Sequence, residues 1–453
     1  MVIRLNNRPP ILNITVESIL NAHYRKKTKI RTGDSLTAAY VIFFLSASFY
    51  LYEFILQVAP SVMAESLMKT FGVTAQGFGF ISAFYFYAYA PMQLPAGVLY
   101  DRYGPRKLMT FAIILCALGS AFFASTDSVL TACIGRFLIG IGSAFSFIGV
   151  LVLLSRWFPP HSFAILAGIA QLMSSVGAMF GEVPLAALIG HVGWRNASFI
   201  LSAVGFVLAG FFWLYIRDFP HQQNQTIPNH YLREEWKRLV AVCKHAHTWI
   251  IGGYAFAIWT PIAVFAALWG VPYLQEKYQV SLVAASGLCS MIWLGIGIGS
   301  PLLGWLSDRV ESRRIALIIS SILGLFATLV LLYLPELSYG WTYLVLLILG
   351  LGAGGQTVSF AVVKENNSPE LVGTASGFNN LSVLIGGAIF QPLVGYILQH
   401  TDSWHMVNGA HVYSTTGYQT ALLVMPLCFL ASLIIAVVLI KESHPAQRTA
   451  LAS

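Results

Sequence analysis

Residues 97–107 read GVLYDRYGPRK and residues 304–314 read GWLSDRVESRR. Both follow the pattern G-x3-D-R-x3-R-[KR]: Gly97, Asp101, Arg102, Arg106 and Lys107 are answered by Gly304, Asp308, Arg309, Arg313 and Arg314. Each copy follows one long apolar run and precedes another, and the copies stand about 207 residues apart in a chain of 453. A repeat of that period, set between apolar runs, marks a duplicated membrane protein.

Composition points the same way. With 57% hydrophobic residues, 10% charged residues and a mean hydropathy of +0.71, too little polar surface exists to solvate a globule of this size. Lipid is the expected solvent. Uncharged or nearly uncharged runs of about 19 to 25 residues are long enough to span the hydrocarbon. They fall at 37–59, 76–98, 108–126, 129–152, 162–186 and 197–216, then at 248–272, 283–305, 314–334, 340–363, 374–398 and 418–440. The expected fold is an all-α integral membrane protein of twelve transmembrane helices in two pseudo-symmetric six-helix bundles, 36–216 and 248–441. Residues 1–35 read as a polar tail or a short interfacial helix, 217–247 as a linker with one surface helix, and 442–453 as a tail.

Placing the N-terminus inside puts 22 of the 26 Lys and Arg residues in cytoplasmic segments, as the distribution of positive charge requires. Both termini are then expected to be cytoplasmic. The net charge of +8 reflects topology and lipid; a nucleic-acid partner would need one clustered soluble surface. Four of the five cysteines lie in spans and Cys243 in the linker, so no disulfide is expected.

Only three ionisable residues lie well inside spans: Glu53, Arg136 and Glu182. A charge at that depth costs at least about 2.5 to 3.5 kcal/mol, so each is functional or paired. Glu53 shares a helical face with Ser46, Tyr50 and Gln57, and Glu182 shares one with Gln171 and Ser175. Arg136, Gly140 and Ser143 form a third such face in span four. Each has an alternative reading. Glu53 and Arg136 could form a structural ion pair, Arg136 could bond backbone carbonyls to lock its bundle, and Glu182 could snorkel to the surface.

The halves are unequal. Aligning Gly140 and Gly142 with Gly350 and Gly352 sets Leu346 opposite Arg136, and GAMFGE (177–182) against GAIFQP (387–392) sets Gln391 opposite Glu182. The second half offers neutral groups instead: Tyr254, Trp259 and Thr260, Trp293, Gln356, Asn379 and Asn380. Aromatics also fill bundles and amides also hold helices together.

These loops, at these places in a chain of six plus six spans, resemble the major facilitator superfamily over residues 36–442. Arg136, Gly140 and Gly142 in GRFLIGIG resemble a second pattern of that family. Antiporters of the family tend to carry G-x8-G-x3-G-P in span five; Gly168, Gly177 and Gly181 keep the spacing, but Glu182 stands where Pro is expected. YEFILQVAPSVM (52–63) and FYFYAYAPMQLPAGVLYDRYGPR (84–106) resemble proteobacterial nutrient importers of intravacuolar bacteria, several of which carry amino acids.

The resemblance implies a cavity lined mainly by spans one, four, seven and ten. Glu53 and Glu182 are then candidates for proton coupling. Arg136, Tyr50, Gln57, Tyr254, Trp259, Gln356 and Asn379 are candidates for substrate binding. It further implies that Gly97, Asp101, Arg102 and Arg106, with Asp308, Arg309 and Arg313, latch one conformation of the transport cycle.

Glycine runs at 295–299 and 350–355 lie inside apolar helices with no preceding strand, so they read as helix packing and not as a dinucleotide site. No G-x4-G-K-[ST] and no metal-ligand cluster occurs. The expectation is therefore a non-enzymatic, monomeric carrier without cofactor, driven by a proton gradient. Its cargo would be a small molecule, a neutral amino acid or similar carboxylate. Proton-driven efflux and a non-transporting sensor are the competing readings.

Overall fold

The structure is a computed structural model that describes residues 32–218, 231–334, 337–368, 370–401, 404–407 and 410–441. The expectations for the N-terminal tail through residue 31, for the linker at 219–230, and for residues 442–453 lie outside the described residues.

Six helices form the first bundle: α1 (Leu36–Phe71), α2 (Ala75–Tyr103), α3 (Pro105–Ala124), α4 (Val129–Trp157) and the pair α5 and α6 within Pro160–Tyr215. A linker helix, Tyr231–Lys244, follows. The second bundle comprises α7 (Ala246–Tyr278), α8 (Leu282–Arg309), α9 (Arg313–Tyr333), α10 (Tyr339–Asn366), α11 (Val372–His400) and α12 (Thr415–Leu439).

Length and hydropathy alone mark ten of these segments as membrane-spanning. Two physical facts bring ten to twelve. The segment 160–215 is two helices meeting at Gly193, whose φ of 79° only glycine adopts easily. Helix α2 falls short in hydropathy because tyrosines, glutamines, Pro91 and Pro95 dilute it, although its 29 residues would extend for about 43 Å. A hydrogen-bonded helix satisfies its own backbone, which hydrocarbon demands. Ser281, Ser312, Ser338 and Ser414 cap α8, α9, α10 and α12 by accepting from backbone N–H groups.

The internal repeat is visible in the packing. A Cβ on Gly140 of α4 would collide with the Tyr85 carbonyl of α2, and one on Gly350 of α10 would collide with the Ile292 carbonyl of α8. The two glycines aligned in the sequence thus perform the same close approach in both halves.

The halves meet mainly through α2 against α11 and α5 against α8. On the face opposite the basic loops, contact is tight. A Cβ on Gly79 would lie 2.6 Å from the Gln391 carbonyl, Phe78 packs on Trp269 at 5.3 Å between ring centroids, and the Ala75 amide donates to the Tyr413 hydroxyl at 3.0 Å. Tyr413 belongs to a hairpin of β1 (Trp404–Val407) and β2 (Ala410–Tyr413) that covers the end of α1. Nearer the basic face, Asn380 of α11 donates to Gln93 of α2 at 2.6 Å. Below that bond, Gly97 and Gly373 face open space. The two halves are thus in tight contact on the face opposite the basic loops.

Candidate functional site

Along α1, two layers of side chains face neighbouring helices of both halves. Tyr50 stacks on Phe147 of α4 at 5.1 Å and donates to Gln171 of α5 at 3.2 Å. Phe54, one turn on, meets Trp293 of α8 edge-on at 5.8 Å, across the boundary between halves. Gln57 continues that face and is buried.

Behind this face lies the charged cluster. Glu53, Arg136 and Glu182 are the three buried Asp, Glu, Lys or Arg side chains among the described residues. Glu53 accepts a hydrogen bond from the Tyr85 hydroxyl of α2, and its Oε2 has no partner. The same Tyr85 ring carries the Arg136 guanidinium, whose Cζ lies 5.0 Å from the ring centroid. Arg136 Nη1 donates to the Leu56 carbonyl of α1 at 2.9 Å, and Nε has no partner. Beside Arg136 is a cavity of about 20 Å³ lined by Leu56, Ala59, Ser120, Ile139 and Ser198, among others, all of the first half. It has room for about one water.

Arg136 and Glu53 therefore share a tyrosine and do not form a direct ion pair among the described residues. The carbonyl bond weighed from the sequence for Arg136 is present. Glu182 does not snorkel: it is wholly buried and accepts from Ser61 of α1 at 3.2 Å, with the Cys289 thiol of α8 against it.

In the second half, the Tyr254 hydroxyl donates to the Leu317 carbonyl of α9 at 3.0 Å, Asn379 donates to Ser359 at 2.9 Å, and Trp259 and Gln356 are nearly buried. Tyr254 is thereby tied inside its own bundle, away from Glu53 and Arg136. Asn379 keeps an unpartnered Oδ1.

The repeated loops bind within their halves. Asp101 pairs with Arg156 at the end of α4 at 3.9 Å. Arg106 grips the end of α6: its side chain donates twice to the Trp213 carbonyl, at 3.0 and 2.7 Å, and its amide donates to Asp218 at 2.8 Å. Gly104, at φ 77°, turns the chain against the Asp218 carboxylate. Arg102 lies over the Tyr103 ring. In the second half Arg313 holds Asp308 and Glu365, while Arg309 is exposed. Arg314 caps α12 by donating to the Ala436 and Val437 carbonyls. The structural counterpart of Arg106 is thus Arg314, one position from its partner in the sequence alignment.

Sequence reasoning passed over Tyr85, Gln93, Ser61 and Cys289. A signal existed for two of them: Tyr85, Tyr89 and Gln93 recur every four residues along α2, a polar stripe on one helix face.

Twelve helices in two repeated bundles, the first holding a buried charge cluster, agree with a sequence profile of the Major Facilitator Superfamily that matches residues 36–391. The chain belongs to that family. It is a multi-pass membrane protein and a secondary transporter. A protein of Escherichia coli named a probable galactarate/D-glucarate transporter, GudP, is 24% identical over 402 residues, covering 78% of this chain and 85% of the relative. A probable sulfoacetate transporter, SauU, of Cupriavidus necator is 22% identical and covers 80% and 88%. Among solved structures, a bacterial homologue of the human lysosomal transporter Spinster, inward-facing and unoccupied, superposes with a TM-score of 0.70 at 17% identity, covering 88% of this chain and 96% of that one. That likeness concerns the fold.

Proposed function

We propose that this facilitator imports a small carboxylate together with a proton across a bacterial inner membrane, with the basic face and both termini in the cytoplasm. One observation carries the reading: a lone buried guanidinium and a buried carboxyl share Tyr85. With Glu53 ionised the cluster is neutral overall. With Glu53 protonated it holds one positive charge in a medium of low dielectric, which attracts an anion. Proton binding thus favours anion binding, and the two travel together by linkage. The proton gradient is the energy source, and no cofactor is required.

The relatives named for galactarate, D-glucarate and sulfoacetate support an acid as cargo. The amino-acid importers that residues 52–63 and 84–106 resemble share the carboxylate with such acids. The charges favour the acid without an ammonium, because one oxygen of Glu53 is already committed to Tyr85.

Proteoliposomes with an imposed inward proton gradient test the reading. Accumulation of a labelled hydroxylated carboxylate supports it. Accumulation of a neutral amino acid in its place would reassign the cargo, outward proton-driven flux would make the protein an exporter, and binding without flux would make it a sensor.

A further inference from the structure

We infer that Glu182 is the acid-operated bolt of the outer gate, distinct from the coupling carboxyl in the first bundle. The inference rests on the transport reading for its orientation, the outer face being the one opposite the basic loops.

Two irregular segments form the heart of that gate. In α1, residues Ala59–Met63 tighten into a 3-10 turn with Pro60 near its start. In α7, after Pro261, residues Ile262–Trp269 widen into a π-helix. All thirteen residues are buried, and the two segments pack on each other. They occupy the first helix of each repeat. Helices of altered winding leave carbonyls free for outside donors and concentrate at sites that move.

Glu182 links both segments. Ser61 of the 3-10 turn donates to its Oε1 at 3.2 Å. The Cys289 thiol of α8 lies against the carboxyl and reaches the Ala266 carbonyl of the π-helix at 3.8 Å. Ser61, Glu182, Cys289 and Ala266 therefore connect α1, α5, α8 and α7, two helices from each half. Gln391 closes the other side by donating to the Ala263 carbonyl at 2.8 Å.

The carboxyl has no exposed surface, its Oε2 has no hydrogen-bond partner, and no cation of the described residues lies within ion-pair distance. Cys289 is the titratable group that faces it; Ser61 from α1 and Ala266 from α7 contribute only neutral groups. An ionised carboxylate is poorly held in such a place, whereas the neutral acid fits. Parting the halves on the outer face would admit water to it. The neutral form therefore favours the closed gate and the ionised form favours the open one. External acid closes the gate, and rising pH releases it. For one proton, the open-to-closed ratio changes by at most about tenfold per pH unit.

The test places two fluorophores on bioorthogonal side chains at Ser125, exposed after the end of α3, and Gly340, exposed in the first turn of α10, in the full chain in nanodiscs. Single-molecule energy transfer is followed as the bath pH is raised stepwise from acid to alkaline. The expected result is a closed population that declines with pH in the parent, persists at every pH in Glu182→Gln, and declines again in Glu182→Asp. A Gln variant that tracks the parent would overturn the inference, as would a parent blind to pH. A gate that responds through Glu182 in a protein that accumulates no carboxylate would remove the cargo reading alone; transport with a gate indifferent to Glu182 would remove this inference alone.

Discussion

The Tyr85 hydroxyl donates to Glu53 while the Tyr85 ring supports the Arg136 guanidinium at 5.0 Å. One aromatic side chain of α2 therefore joins the acid of α1 to the base of α4. In the proposed import cycle, proton and anion affinity are coupled through it.

Glu53→Gln fixes the neutral form of the cluster. Gradient-driven accumulation is expected to fall at least tenfold, while counterflow between equal internal and external substrate persists. The measurement is uptake of labelled carboxylate with and without a pH gradient in the same vesicles. Unchanged accumulation would remove Glu53 from coupling.

Arg136→Lys keeps a charge but not the planar fork that bonds Leu56 and rests on Tyr85. Losing one charged hydrogen bond costs about 1.5 to 3 kcal/mol, so carboxylate affinity should weaken by about tenfold or more. Isothermal titration of the parent and variant reads this directly. An analogue lacking its carboxylate should bind neither protein; equal binding of that analogue would assign Arg136 to structure alone.

Gly140→Ala places a methyl group against the Tyr85 carbonyl, and Gly350→Ala places one against the Ile292 carbonyl. Overpacking of this kind costs about 1 to 3 kcal/mol. Both variants should melt at lower temperature in detergent, and Gly140→Ala should also impair coupling because it displaces Tyr85. Equal loss of transport in the two variants at equal stability would separate Tyr85 from the chemistry.

Asp101→Asn removes the pair with Arg156, and Arg106→Ala releases the Trp213 carbonyl at the end of α6. If the loop latches a state, crosslinking yields across the cytoplasmic ends of α2 and α11 should change in both variants. Yields equal to the parent, with only a lower melting temperature, would make the loop a brace within the first bundle.

The duplication, the twelve crossings, the family and the three buried charges were all legible along the chain, because each depends on composition and on the spacing of residues in one dimension. The sequence also paired Gly140 with Gly350, which tertiary packing then uses alike. It placed Arg313 opposite Arg106, whereas the folded chain gives the capping role to Arg314. Which neighbour each charge meets is settled by packing between helices: Tyr85 and not Arg136 for Glu53, the Leu56 carbonyl for Arg136, and Ser61 with Cys289 for Glu182. The reason is physical. In a soluble helix the apolar stripe reveals which face turns inward, but a helix in lipid is apolar on both its packed and its exposed faces. Its rotation is set by where small residues let backbones approach, and that register between distant helices exists only in the assembled bundle.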